Sequence, residues 1–191
     1  MTRHIAILLF DGVEELDAVG PFEVLAYWAQ EVVTDGEWLV DTVSPDGGSV
    51  TGAHGLVIGA DYSIGSMPTP EVFLHPGGRG TRPLLRDANH LRWLTQLRGE
   101  VALLTSVCTG ALPFAAAGLL RDRPATTHWQ AFDELAKLDP TIRIQREDRF
   151  VDDGDLITSA GVSAGIDMAL HLVARLASPE ISNTVRRGIQ Y

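Results

Sequence analysis

The sequence predicts an α/β fold built on a mainly parallel sheet. Three observations carry this. Strand-like and helix-like hydrophobic patterns alternate along all 191 residues. Alternation of that kind is the mark of βαβ units. Two short apolar strands run directly into turn chemistry, Val72–His75 into Pro76-Gly77-Gly78 and Val101–Ser106 into Val107-Cys108-Thr109-Gly110. Hydrophobic residues make up 45% and charged residues 21%, the balance of an ordinary globular domain. No repeat, linker or low-complexity run divides the chain, so residues 1–191 are expected to form one domain.

The elements follow in order. His4–Phe10 is a first buried strand, closed by the Asp11-Gly12 turn signal. A helix is expected over Pro21–Gln30, then a strand over Trp38–Val43 and a shorter one over Gly55–Ile58. Leu84, Ala88, Leu91 and Leu94 have helical spacing within 84–97. Thr109–Leu119 is the helix after the cysteine. Trp129, Phe132 and Leu135 suit one face of a short helix starting near His128. Residues 149–158 form a hairpin turned at Asp153-Gly154. Ile166, Ala169, Leu170, Val173 and Leu176 stripe a further helix, and Ser178-Pro179-Glu180 opens the last with a cap and a first-turn proline. Residues 101–120 carry no charge over a span-length run, but Gly110, Pro113 and Gly118 interrupt it. It reads as a buried strand feeding a buried helix rather than a membrane span.

Composition narrows function. Lys plus Arg is 15 against 25 for Asp plus Glu, a net charge of −10. An acidic surface argues against binding the phosphate backbone of nucleic acid. One cysteine makes neither an internal disulfide nor a cysteine-based zinc cluster, and it suits a reducing, cytoplasmic setting. The six histidines (4, 54, 75, 90, 128 and 171) form no metal-binding pair, so neither metal nor cofactor is expected. No export signal follows the start, where Asp11, Glu14, Glu15 and Asp17 succeed a short apolar run.

Four features carry chemistry. Cys108 sits on a strand-to-helix turn, at the carboxyl edge where ligands bind in open α/β sheets. The start of a helix there favours thiolate over thiol. A buried structural cysteine fits the position equally well. His75-Pro76-Gly77-Gly78-Arg79-Gly80 lets backbone N–H groups approach a developing negative charge, as an oxyanion hole would. It also suits an ordinary turn or a phosphate cradle, although no nucleotide-binding glycine motif is present. Asp17, flanked by Leu16, Ala18 and Val19, is either a helix-capping acid or a half-buried acid facing the cysteine. Glu14 and Glu15 read as solvated or capping groups. His128 in Thr126-Thr127-His128-Trp129 is either a capping group or a base.

The blocks FDGVEELDAVGPFEVL (10–25), HPGGRGT (75–81), TSVCTGALPFAAAGLLRDRPATTHW (105–129) and DDGDLITSAGVSAGIDMALHLV (152–173) together resemble the ThiJ/PfpI superfamily, and within it the isonitrile hydratases. The resemblance covers about residues 4–187. It implies a class I glutamine amidotransferase-like domain with a flavodoxin-like three-layer sandwich and a nucleophile elbow, assembled as a homodimer. It implies that Cys108 is the nucleophile, that Asp17 hydrogen-bonds it, and that Thr109 lies in the site. It places Gly77 and Gly78 on the oxyanion side, with His128 in a block shared across the family. The implied activity is hydration of an isonitrile to an N-substituted formamide. The alternatives are glyoxalase-type chemistry on small carbonyl compounds and a non-catalytic redox- or ligand-sensing domain, like the N-terminal domains of AraC-type regulators. Thr109 stands where the peptidase-like branch has His, which argues against peptidase or deglycase activity. Those regulators carry a helix-turn-helix region beyond the position of Tyr191, and none is expected here. The expected partner is a small molecule, with no nucleic acid and no membrane.

Overall fold

A computed structural model describes residues 2–33 and 37–191. In chain order the elements are β1 (Arg3–Leu8), α1 (Glu15–Tyr27), β2 (Trp38–Ser44), β3 (Val50–Thr51), β4 (Val57–Ile58), β5 (Tyr62–Ser63) and β6 (Val72–His75). Next come α2 (Thr81–Leu84), α3 (Ala88–Arg98), β7 (Leu103–Val107), α4 (Ala111–Ala116), β8 (Pro124–Ala125) and α5 (Phe132–Leu138). The chain closes with β9 (Arg143–Ile144), β10 (Phe150–Asp152), β11 (Leu156–Ser159), α6 (Ala164–Leu176) and α7 (Pro179–Gly188).

Seven strands form the central sheet in the order β10-β11-β7-β6-β1-β2-β5. All neighbours are parallel except β10, which turns back on β11 as the edge. The central strands are apolar on both faces, as a sheet covered on both sides requires. Ile5, Ile7 and Leu8 of β1, Val72, Phe73 and Leu74 of β6, and Leu104 and Val107 of β7 are all buried. Helices α1, α6 and α7 pack together, and α3, α4 and α5 form a second group, which gives the expected layered sandwich. Among the described residues no helix is long and apolar enough to cross a membrane.

The order of winding positions the site. From β1 the chain adds β2 on one side and β6, β7 and β11 on the other, so the direction of winding reverses between β1 and β6. A crevice opens at the carboxyl ends of strands at such a point. The loops after β1, β6, β7 and β11 all reach it.

Several expectations shift. The first helix starts at Glu15, not Pro21, so Pro21 lies inside it and Asp17 falls in its first turn. Glu14 makes no side-chain cap there, so no capping signal marks the true start. The 84–97 helix begins at Ala88, because Asp87 caps it by accepting the N–H groups of Asn89 (2.9 Å) and His90 (3.3 Å). Leu84 belongs to the separate turn α2. Trp129 is 69% exposed rather than part of the buried stripe that Phe132 and Leu135 form. Gly55–Ile58 yields only β4, which pairs with β3 in a hairpin off the main sheet. The helix after the cysteine is shorter than expected: Cys108–Gly110 form a 3-10 turn, and α4 ends ahead of Gly118, whose φ is +75°.

Candidate active site

Cys108 leaves β7 with a left-handed backbone, φ +58°, directly after the extended Val107. A non-glycine residue held there costs about 1–3 kcal/mol, and such strain gathers at functional sites. Neighbouring groups hold it in place. The Cys108 N–H donates to the Ala160 carbonyl at 3.0 Å, and the Thr127 hydroxyl donates to the Cys108 carbonyl at 2.7 Å. Gly110 follows because a Cβ there would overlap the His75 carbonyl oxygen, so the elbow can lie flat against the Pro76-Gly77 loop.

Asp17 meets the cysteine from α1. It is fully buried, and its Oδ2 accepts the Gly77 N–H at 3.0 Å. A side chain at Gly77 could not fit, since its Cβ would stand 2.6 Å from the Thr109 nitrogen and 2.8 Å from Asp17 Oδ2. Oδ1 has no partner of ordinary geometry, and the Cys108 thiol is the side chain hydrogen-bonded to this acid. Burial pushes Asp17 up to about 7, with the charge of Glu14 adding to the rise, against the Gly77 and Val162 N–H groups and the thiol. Burial, then the charge of Asp17, pushes Cys108 up to about 12, while the Thr109 and Val162 N–H groups oppose the rise. The pair therefore gives up its first proton near pH 7 and holds the second well above that. The helix start invoked from sequence does less than expected, because α4 begins three residues beyond the sulfur.

Thr109 lies beside the pair. Its Oγ1 accepts the Gly78 N–H at 2.9 Å and the Thr81 hydroxyl at 3.3 Å. The amides of Gly77 and Gly78 are thus engaged with Asp17 and Thr109. The backbone N–H groups that face the sulfur are those of Thr109 and Val162. Val162 was not singled out from the sequence. Its φ of +47° is an outlier for a β-branched residue, and nothing in Ala160-Gly161-Val162-Ser163 announces it.

Cys108 and Thr109 open into a cleft of about 270 Å³. His128 lies at its mouth, with its ring packed where a Cβ on Gly161 would stand. Its Nδ1 accepts the Gln130 N–H at 3.3 Å, which leaves the proton of the neutral ring on Nε2. Burial, then the nearby Arg82 charge, lowers its pKa. Glu14, Arg79 and Arg82 also line the cleft and were not expected there. The structure thus brings Cys108, Asp17, Thr109, Gly77, Gly78 and His128 together. A larger hollow of about 320 Å³ between α1, β1 and β2 is lined by Ile7, Leu9 and Phe22, and it holds none of these groups. Elsewhere Glu14, Glu15 and His54 bring three ligand-type atoms within 4.8 Å of one another. Glu15 is occupied there, accepting the His54 N–H at 2.7 Å and facing His54 Nδ1 at 3.0 Å, which ties the β3–β4 hairpin to α1.

A parallel α/β sheet with a strained cysteine elbow and a buried acid on its sulfur defines a class of cysteine-centred small-molecule domains. Residues 3–175 match the DJ-1/PfpI family, and the chain belongs to it. It is 37% identical to isonitrile hydratase of Pseudomonas putida, over 100% of this chain and 79% of that one. It is 32% identical to the HTH-type transcriptional regulator CdhR of Pseudomonas aeruginosa, over 95% of this chain but only 53% of the regulator. Among solved structures it superposes on a ThiJ/PfpI family protein from Pseudomonas syringae with a TM-score of 0.88, at 32% identity, covering 100% of this chain and 76% of the other. Drosophila melanogaster DJ-1beta shares the fold, with a TM-score of 0.85 at 21% identity over 100% of this chain and 98% of that one.

Proposed function

We propose that the protein hydrates an isonitrile, R–N≡C, to the formamide R–NH–CHO. The observation that carries this reading is the Cys108–Asp17 pair, a thiol on a strained elbow hydrogen-bonded to a fully buried acid beside Thr109. The likeness to isonitrile hydratase supports it. The singly protonated pair is the active form. Asp17 relays the thiol proton to the terminal carbon as the sulfur attacks that carbon, giving the thioimidate R–N=CH–S–Cys108. Water then adds to the same carbon, with Asp17 taking one of its protons and the nitrogen gaining one. The resulting R–NH–CH(OH)–S–Cys108 collapses, the C–S bond breaks, and the sulfur recovers its proton. The sum is one isonitrile plus one water to one formamide. The Thr109 and Val162 N–H groups steady the sulfur as charge leaves and returns.

The test is incubation with an isonitrile, following the formamide by chromatography, alongside Cys108→Ala. Turnover that vanishes in the variant supports the reading, and turnover that persists refutes the nucleophile. Mass spectrometry of rapidly quenched samples reads the adduct on Cys108. A second reading, ligand sensing without turnover, is favoured by the likeness to a transcriptional regulator. It predicts saturable binding with no formamide formed. We also read the protein as a homodimer, because Leu16, Val19, Leu56 and Val57 are exposed on α1 and the adjoining hairpin.

A further inference from the structure

Resting on the hydratase reading of the site, we propose that the isonitrile it takes carries a carboxylate on its R group, bound at the mouth of the cleft by Arg79.

Small-molecule pockets are ordinarily lined by apolar side chains with a few polar groups that fix orientation. This cleft carries more charged and polar side chains than that. Beyond the reacting groups, its apolar side chains are Ala131 and Val162, and the rest of its rim is charged or hydrogen-bonding. A cyclohexyl or aryl R group lying over the arginines would strip water from guanidinium groups without replacing it.

The two arginines of the rim differ in their partners. The Arg82 Nη2 donates to Glu134 at 2.8 Å, and its Nη1 lies 3.3 Å from the Thr81 hydroxyl and 3.4 Å from the Gly78 carbonyl. Arg82 is thus held in place at the lip with its charge matched. Glu14 is the acid of the lining, and its Oε1 lies 3.7 Å from His54 Nδ1. Glu15 and Glu14 together favour the protonated form of His54, with Glu15, the nearer of the two, as the larger cause. Arg79 has no acidic partner among the described residues, and it stands near enough to His54 to oppose protonation there. Arg79 is thus the guanidinium of the entrance that no carboxylate of the protein holds, on a chain whose net charge is −10. His128 offers a further donor, because its Nδ1 is engaged and its Nε2 carries the proton. A guanidinium fork matches a carboxylate with two parallel hydrogen bonds. The acid end of the substrate would lie on Arg79 while the isonitrile carbon reaches Cys108.

The test uses 3-isocyanopropanoate and its methyl ester as substrates. It also uses N-formyl-β-alanine and its methyl ester as binding probes for Cys108→Ala. Wild type is expected to show a kcat/KM about tenfold higher for the acid than for the ester at low salt, shrinking as salt rises. Calorimetry on Cys108→Ala is expected to show the formyl acid binding about tenfold tighter than its ester. Arg79→Gln should abolish both preferences, and Arg79→Lys should restore part of them. Arg79 is exposed, so neither change threatens the fold. Equal turnover of acid and ester, with equal binding of the two probes, overturns the carboxylate assignment and leaves the hydratase reading intact. Turnover of neither compound by folded wild type overturns the hydratase reading, and the substrate named here falls with it. A preference for the acid that survives Arg79→Gln overturns the role of Arg79.

Discussion

The histidine pair behind the active-site loop makes a quantitative prediction about acid. His75 is fully buried at the end of β6, its ring packed against Phe10 and Phe114. Its Nδ1 lies 2.8 Å from the Pro76 carbonyl and must donate there, so its Nε2, 3.1 Å from His90 Nε2, accepts from His90. The pair is therefore neutral in the fold. Burial, then the neighbouring His90, lowers His75 to about 3, and burial lowers His90 to about 4. Unfolded, both histidines titrate near 6.5. Below that pH the unfolded chain binds protons that the fold refuses, and stability falls by about 1.4 kcal/mol per pH unit per histidine. At pH 5 that is about 2 kcal/mol each. Asp17 works in the opposite sense. Its folded value of about 7 lies above its ordinary 3.8, so the fold, half protonated at pH 7, completes its uptake of a proton by pH 5 and gains about 2 kcal/mol. Wild type should therefore lose only about 2 kcal/mol over that interval, whereas Asp17→Asn should lose about 4 kcal/mol. Adding His90→Gln to Asp17→Asn should bring the loss back to about 2 kcal/mol. Urea unfolding at pH 7 and pH 5, followed by tryptophan fluorescence, measures all three. Equal losses in wild type and Asp17→Asn would refute the reasoning.

Four further outcomes are expected. Asp17→Asn should lower kcat/KM for isonitrile hydration at least about 100-fold with an unchanged far-UV circular dichroism spectrum, and near-full activity would remove Asp17 from the mechanism. In wild type, kcat/KM should rise with pH through a value near 7, because the pair must lose one proton before the sulfur can attack; a profile flat from pH 6 to pH 8 contradicts this. Thr127→Val removes the hydroxyl on the buried Cys108 carbonyl and should cost about 1–3 kcal/mol in urea unfolding, with a larger fall in kcat than in stability alone if the elbow relaxes. Sedimentation should give twice the 20.7 kDa chain mass, and Val57→Glu, at a position 66% exposed, should shift it toward the monomer; an unshifted dimer would place the interface elsewhere.

What could be read from the sequence divides along a physical line. Features set by neighbours in the chain were legible. Val72–His75 ends where Pro76 removes a donor, the Asp153-Gly154 turn closes its hairpin with Gly154 at φ +85°, and α6 shows its apolar stripe. Cys108 was legible as an elbow for the same reason, since a strand pattern stops at it. Features set by groups far apart in the chain were not. Pro21 reads as a helix start because proline suits a first turn, yet the helix begins six residues earlier at Glu15 without a capping side chain to show it. That error left Asp17 open to a capping role, when the structure commits it to Gly77, 60 residues away. Val162 takes its strained backbone from the packing of the β11–α6 loop against the elbow, and small neighbours leave no trace of it in composition. The polar rim of the cleft is the sharpest case. Glu14, Arg79 and Arg82 each look like solvated surface charge when taken singly, and only the meeting of the loops after β1 and β6 puts them over one cysteine. The elbow that carries the sulfur was therefore readable from local motifs. The charged rim over the sulfur is a property of the junction between loops.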